Sequence, residues 1–429
     1  MCDSAVVTEI NAPVPAALSG LDAVDWSALT HAYGPADDVP GLLRVLCSPD
    51  GEQRDQALDA LYGNIFHQGS RYPATAAAVP FLVRMAADPA LPGRAVCLEL
   101  LAALAIGYDE THLPGGVAIT EWRAAVEEVH ARDPEAIRAE YDAWVEAAAD
   151  ERERRLREFR RDLYDHDRQL EAMAAELGAY DAVRAGVPAL LPLLGDADPA
   201  VRAGTAYVLA WFPEAAGESL PRLLATLDEE REPVVLATAL VTTGLLGDDG
   251  TGPELALRLR PFLTAGEPLV RWAAATALAR LGGRGVEAAV TADVLAELVA
   301  GAEQPGPGEP RLPFHERDPR GYSAASLTLL ADRYPREALD AVTEGLAATT
   351  GPASFPVATA ALRLAFGDPR PEGPGAFTEL TEAQRRLVRV LAGLGENTWR
   401  WANFSDIVRS WGLPVPRDEL RAYAGLPEE

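Results

Sequence analysis

The chain has 429 residues, 48% of them hydrophobic but only 7% aromatic, and its 65 acidic against 38 basic residues give a formal net charge of −27. The abundance of Ala and Leu favours helices over strands, and so strong a negative charge argues against nucleic acid as a partner, because it repels phosphate. All 38 basic residues are arginines, which excludes any mechanism that depends on a lysine.

The chain up to residue 179 divides into three parts. Residues 1–34 are loosely patterned, and we expect a partly ordered lead-in. Residues 35–113 predict two helix pairs, 39–62 and 79–106, each with a proline-marked turn between its helices. Residues 114–179 carry many Glu/Asp-to-Arg pairs at three- and four-residue spacing, which predicts two long, charged helices inserted between repeats.

Residues 180–370 contain the clearest internal repeat. Three segments align without gaps on Asp198, Glu232 and Glu267, which lie 34 and 35 positions apart (232 − 198 and 267 − 232). Each acid is followed by a proline, namely Pro199, Pro233 and Pro268. The acid predicts a helix cap and the proline its first turn, where a missing N–H costs nothing. The apolar stripe of each helix predicts that neighbouring helix pairs stack on one another.

This D/E-P-x-V-R pattern resembles that of the HEAT-repeat family of helical solenoids. It is complete in Asp198-Pro199-Ala200-Val201-Arg202 and in Glu267-Pro268-Leu269-Val270-Arg271, whereas Leu236 takes the place of the arginine after Glu232. The resemblance implies an all-α, armadillo-like solenoid in which acid and arginine pair along the repeat turns and are structural. In its C-terminal segment and in residues 62–72, the chain is also similar to a group of actinobacterial HEAT-repeat proteins. This resemblance implies a fold but no reaction.

Residues 371–429 change character and predict a C-terminal helical cap. Thr381 and Gln384 match a capping box. Trp399, Trp401 and Trp411 either seal the core of the last repeat or form an aromatic binding patch, and sealing is the simpler interpretation.

Two polar links between predicted helices are candidates for a binding edge. The first carries His67, Arg71 and Tyr72, and the second, one repeat later, carries Tyr108, Asp109, Glu110 and His112. Equivalent links of a solenoid lie on the same edge, so we expect the two to be neighbours. Their imidazoles and carboxylates are suited to a metal ion or to acid–base chemistry, but polar links are common to all solenoids, and a structural role is the simpler interpretation.

Other polar clusters are weaker candidates. Asp162 and His166 lie one turn apart on a charged helix, which is typical of a solvated face. His315, Glu316 and Asp318 follow the Pro/Gly-rich stretch of the 301–320 loop, and we interpret them as part of a surface loop.

The sequence therefore predicts a non-catalytic scaffold or adaptor whose acidic solenoid surface binds a protein or peptide, most suitably a basic one. The alternative is an enzyme, or a metal- or small-molecule-binding protein, with its site at the 67–72 and 107–113 edge. We expect no cofactor. Cys2, Cys47 and Cys97 have no metal spacing, and neither a signal peptide nor a membrane span is apparent, so we expect a soluble cytoplasmic protein.

Overall fold

The computed structural model of the protein describes residues 15–248, 250–303 and 312–427, so the predicted lead-in and the 301–320 loop fall partly outside the described residues. The described residues are mostly helical and contain only four two-residue strands, which confirms the prediction of an all-α solenoid. They form two compact units, the first within Met1–Gly107 and Ala124–Leu190 and the second within Tyr108–Arg123 and Leu191–Glu429.

The first unit contains the N-terminal helices and the charged segment. Its helices are α1 (Val39–Leu46), α2 (Gly51–Asn64), α3 (Pro73–Ala87), α4 (Arg94–Ile106), α5 (Ile119–Ala131, which begins in the second unit), α6 (Pro134–Glu146), α7 (Glu151–Leu163) and α8 (His166–Leu190). Its strands are β1 (Thr30–His31), β2 (Gly34–Pro35), β3 (Phe66–His67) and β4 (Ser70–Arg71), which pair as two antiparallel hairpins, β1 with β2 and β3 with β4.

The charged segment contains more helices than the two that we predicted. Asp133 and Asp150 accept hydrogen bonds from Glu135 N and Glu153 N and so cap α6 and α7, which divides the segment into shorter helices. The expected end of the insertion at residue 179 lies inside α8, because the apolar residues of its second half continue to pack against α3 and α4.

The second unit stacks helix pairs in chain order. Its helices are α9 (Pro199–Leu209), α10 (Ala216–Glu229), α11 (Pro233–Leu246), α12 (Gly252–Leu259), α13 (Pro268–Gly283), α14 (Ala292–Glu303), α15 (Pro319–Thr328), α16 (Pro335–Ala347), α17 (Ser354–Phe366), α18 (Glu382–Gly393), α19 (Glu396–Trp399), α20 (Ala402–Ser410) and α21 (Arg417–Tyr423). Helix α11 packs between α9 and α13, and α15 packs between α14 and α17.

The repeat helices begin where the acid–proline pattern places them. Pro199, Pro233 and Pro268 open α9, α11 and α13. Asp198 caps α9 by accepting from Ala200 N at 2.9 Å, whereas Glu232 and Glu267 occupy the N-cap position without a side-chain bond to the helix.

The expected pairing of the repeat acids Asp198 and Glu267 with arginine along the repeat turns is not formed among the described residues. Arg202 instead binds Glu230 through two hydrogen bonds of 2.7 and 3.1 Å, and Arg271 binds Glu297 at 2.8 Å. Both acids belong to the following helix pair, since the arginine side chains reach forward while Asp198 is occupied by its cap. The ion pairs therefore join successive repeats.

Helices α11 and α13 approach closely because small residues line their contact. A Cβ added at Gly244 would lie only 2.5 Å from Cα of Ala277, which is backbone that cannot rotate away. Gly244 is therefore required by the packing of these repeats.

The C-terminal helices cover the end of the stack. The predicted capping box is present, with Gln384 N donating to Thr381 Oγ1 at 3.3 Å and Thr381 N donating to Gln384 Oε1 at 2.9 Å. Trp411 is buried and donates to Gly367 O, and Trp399 donates to Leu391 O, so both seal the core, while Trp401 remains 40% exposed.

Candidate functional site

The first predicted link is a β-hairpin of the first unit. Gln68 and Gly69 form its turn with φ values of 51° and 87°, as the two-residue turns of hairpins require. His67 is half-buried, with Nδ1 3.4 Å from Tyr33 Oη.

Arg71 and Tyr72 hold this hairpin against the helices of the first unit. Arg71 is buried and lies 3.6 Å from the carboxylate of Glu176 on α8; burial lowers its pKa, and Glu176 opposes that shift. Tyr72 N donates to Thr75 Oγ1, which in turn donates to Ile65 O at 2.6 Å. These contacts are those of an anchored structural link.

The second predicted link belongs to the second unit and is centred on a buried carboxyl group. Oδ2 of Asp109 accepts one hydrogen bond from Tyr207 Oη at 3.0 Å and another from the backbone N–H of His315 at 2.8 Å. His112 is half-buried beside Trp211, with ring centroids 6.4 Å apart, and Tyr108 is exposed. The proximity of the two links to each other stays a prediction.

Asp109 titrates far from its ordinary range. Burial raises the pKa of this carboxyl to about 7, against the hydrogen bonds from His315 and Tyr207, which favour the charged form. The neighbouring side chain of Glu110 adds to the rise, because it shares a hydrogen bond with Asp109 and repels a second negative charge. Asp109 thus carries a proton for much of the time near neutral pH.

The segment that contacts Asp109 has an unusual backbone. His315, Glu316 and Arg317 have φ values of 55°, 51° and 64°, a left-handed conformation that costs about 1–2 kcal/mol for each residue with a side chain. Such strain in consecutive residues is concentrated at functional sites.

The interpretation of His315 as a residue of a surface loop is wrong. Its side chain is only 5% exposed and stacks on the ring of Tyr322, with centroids 6.1 Å apart and planes 15° from parallel. Burial lowers the pKa of the imidazole, which favours the neutral ring, while the charges of Asp318 and Glu110 oppose the shift. The sequence offered one weak signal for this position, the apolar residues Leu312 and Phe314, which are buried as well.

A cavity of about 760 Å³ lies beside these residues in the second unit. Its walls are formed by the link at 110–114, the left-handed segment with the start of α15, the later residues of α15, and residues 348–363. Most of the wall is apolar or small, including Leu113, Pro114, Ala325, Ala348, Pro352, Ala353, Phe355, Pro356 and Ala360. Its charged lining consists of Glu110, Glu316, Asp318, Arg317, Arg320 and Arg363.

Glu316 is the acid on this wall whose pKa responds to its neighbours. Burial raises the pKa of Glu316, and the charges of Glu110 and Asp318 raise it further. One carboxylate oxygen of Glu110, Oε2, is shielded from solvent and accepts no hydrogen bond from the described residues. A cationic or hydrogen-bond-donating group in the cavity would provide a partner for the carboxylate oxygens of Glu110 and Glu316.

Metal binding receives no support from the geometry. Within the described residues, no group of three or more His, Cys, Asp or Glu side chains is placed to hold a metal ion. Nor does any helix there have the length and apolar character needed to cross a membrane.

Comparison with known proteins gives structural likeness only. No family model matches the chain, and no curated protein matches it. Among solved structures, an engineered protein is 19% identical, with 91% of this chain and 97% of that chain covered at a TM-score of 0.27. The UNC-45 chaperone, described as binding and folding muscle myosin, is 15% identical at a TM-score of 0.27; 95% of this chain matches 62% of that one.

Proposed function

We propose that this protein is a helical-repeat binding protein that takes a segment of a protein or peptide partner into the cavity of its second unit. The observation that carries the proposal is the cavity itself, about 760 Å³ in volume, with an apolar wall and a few charged groups. This combination is typical of binding sites, in which the apolar wall supplies affinity and the polar groups fix orientation.

The charge of the chain favours a partner with basic side chains. A net charge of −27 attracts basic segments over long range and speeds their encounter with the protein. At the cavity, Glu110 and Glu316 offer carboxylates to a lysine or arginine side chain, and an ion pair there would also relieve the repulsion between them.

The test is a selection of peptides from a random library against the full-length protein. We expect retained peptides to be enriched in basic and apolar residues. Thr359→Trp, which fills the cavity from α17, should abolish retention. Thr226→Trp is the matched control, because both threonines are half-buried, lie on helices, and donate to the carbonyl four residues earlier. Equal retention by the wild type and by Thr359→Trp would refute the proposal.

An acid–base enzyme is the second candidate, because Glu110 and His315 line the same cavity beside a carboxyl whose pKa is about 7. The selection distinguishes the two, since retained peptides can be recovered and analysed by mass spectrometry. Intact peptides support the binding protein. Peptides cleaved by the wild type but not by Glu110→Gln would favour the enzyme.

The binding edge predicted at residues 67–72 is tested in the same selection. If the cavity is the only recognition site, the His67→Ala/Arg71→Ala double variant should retain the same peptides as the wild type. Circular dichroism checks that this variant is folded. Loss of peptides in this variant would give the hairpin a binding role of its own.

A further inference from the structure

Arg320, on the wall of the cavity, has a buried charge that no acid of the described residues neutralises. The side chain is only 6% exposed, and its one hydrogen bond, from Nη1 to Ala348 O, is long at 3.4 Å. Nε is shielded from solvent and has no acceptor, and among the described residues the guanidinium forms no ion pair. Burying an arginine in this way is costly unless an anion joins it.

The nearest acid in the sequence does not serve this purpose. Asp318 directs Oδ1 to the backbone N–H of Arg320 at 3.0 Å, where it caps α15. Of the other arginines on the wall, Arg363 lies 3.9 Å from the carboxylate of Asp368. Arg320 is therefore a buried cation on the cavity wall that has no anionic partner among the described residues.

We infer that Arg320 binds the free carboxylate at the C-terminal end of the peptide that occupies the cavity. The inference rests on the proposed function and names the chemistry of the partner's anchoring group. A guanidinium presents a planar fork of N–H donors that fits a carboxylate through two parallel hydrogen bonds.

The surrounding charges favour a carboxylate over a phosphate. Glu110, Glu316 and Asp318 line the same cavity, so a doubly charged phosphate would meet strong repulsion there. A single carboxylate needs only the one arginine. The basic side chains of the same peptide would then pair with the acids of the cavity wall. The bound peptide would thus form one charged contact through its carboxylate and another through its basic side chains.

The depth of Arg320 favours a chain end over an internal Asp or Glu. A side chain that is only 6% exposed is reached by a narrow group. If an internal Asp or Glu of the peptide bound Arg320, the peptide backbone before and after that residue would both have to approach the cavity wall. A C-terminal carboxylate requires only the backbone before it to do so.

The experiment compares two pools of random octapeptides, one with free C-terminal carboxylates and one with C-terminal amides, on the immobilised full-length protein. We expect the wild type to retain the free-acid pool at least about tenfold better, the difference that a charge-assisted, two-bond contact supplies. Arg320→Gln should lose this preference. Arg336→Gln, which removes an exposed arginine of α16, should keep it.

A measurement of stability separates a ligand anchor from a structural residue. Arg320→Leu should raise the melting temperature of the unliganded protein, because it removes a buried charge without a partner, and should also lose the free-acid preference. A fall in melting temperature would show that Arg320 acts structurally and would overturn the inference.

The outcomes separate this inference from the proposed function. Equal retention of the two pools, blocked by Thr359→Trp, would overturn the role of Arg320 and leave the binding protein intact. Preference for free acids that survives in Arg320→Gln would overturn it as well. Retention of neither pool would refute both.

Discussion

Asp109→Asn should make the protein more stable at neutral and alkaline pH. Burial raises the pKa of the Asp109 carboxyl from 3.8 to about 7. Between these values the unfolded chain releases the proton that the folded protein keeps, so this group lowers the free energy of unfolding as the pH rises. A rise of about three pKa units corresponds to about 4 kcal/mol at full ionisation.

An asparagine reproduces the protonated form of the side chain. Its carbonyl oxygen can accept from Tyr207 Oη and His315 N, as Oδ2 of Asp109 does. Its amide can donate to Glu110, as the carboxyl proton does. We therefore expect equal stability of variant and wild type at about pH 3, below both pKa values, and an advantage for the variant that grows to a few kcal/mol by about pH 8.

The assay is urea denaturation followed by tryptophan fluorescence at a series of pH values, with the difference in free energy of unfolding as the result. Taking the difference between the two proteins cancels the titration of the many other acids. Asp332→Asn, on an exposed side chain, is the control and should show no such trend. A variant that is less stable than the wild type at pH 8 would refute the reasoning, because the hydrogen bonds to the carboxylate would then outweigh the cost of burying it.

Three further substitutions test the packing, the backbone strain and the repeat contacts, each by urea denaturation. Gly244→Ala should lower the free energy of unfolding by about 1–3 kcal/mol, because the new methyl group meets backbone of the neighbouring helix. The control Gly178→Ala, in an open helical position, should raise it by about 1 kcal/mol. Equal effects of the two substitutions would contradict the close approach of the helices. Glu316→Gly should raise the free energy of unfolding by about 1 kcal/mol, because glycine adopts the left-handed backbone conformation without strain. A lower free energy of unfolding would show that the segment is unstrained. Arg202→Met should lower the free energy of unfolding by about 2–3 kcal/mol, because the nearly buried carboxylate of Glu230 loses its ion-pair partner and keeps only backbone donors. An unchanged stability would mean that the ion pair contributes little.

The repeats were predictable because their signals are local. A proline after an acid fixes the first turn of a helix within a few residues, as at Pro199, and the capping box at Thr381 works over the same short range. The partner of Arg202 was not predictable in this way. Glu230 lies 28 residues further on, and several acids of that stretch could have taken its place as far as the sequence shows.

The contacts within the candidate site were likewise not predictable from the sequence. The sequence identified Asp109 and Glu110 as candidate binding residues from their place in a polar link, but it gave no indication that the backbone N–H of His315 would donate to Asp109. Contacts between distant segments leave no periodic pattern. Arg320 lay at the end of the predicted 301–320 loop without a local pattern to mark it, and only its burial on the wall of a cavity distinguishes it.

The hydrogen bond between Asp109 and the amide of His315 joins residues 206 positions apart. During synthesis at about 5–20 residues per second, the carboxyl group leaves the ribosome roughly 10–40 s before the amide that it will accept. In that interval the carboxyl is in contact with water and ionised at neutral pH, so it must take up a proton or lose its hydration when the second unit closes around it. The cellular pH at the time of translation therefore bears on how readily this unit completes its fold.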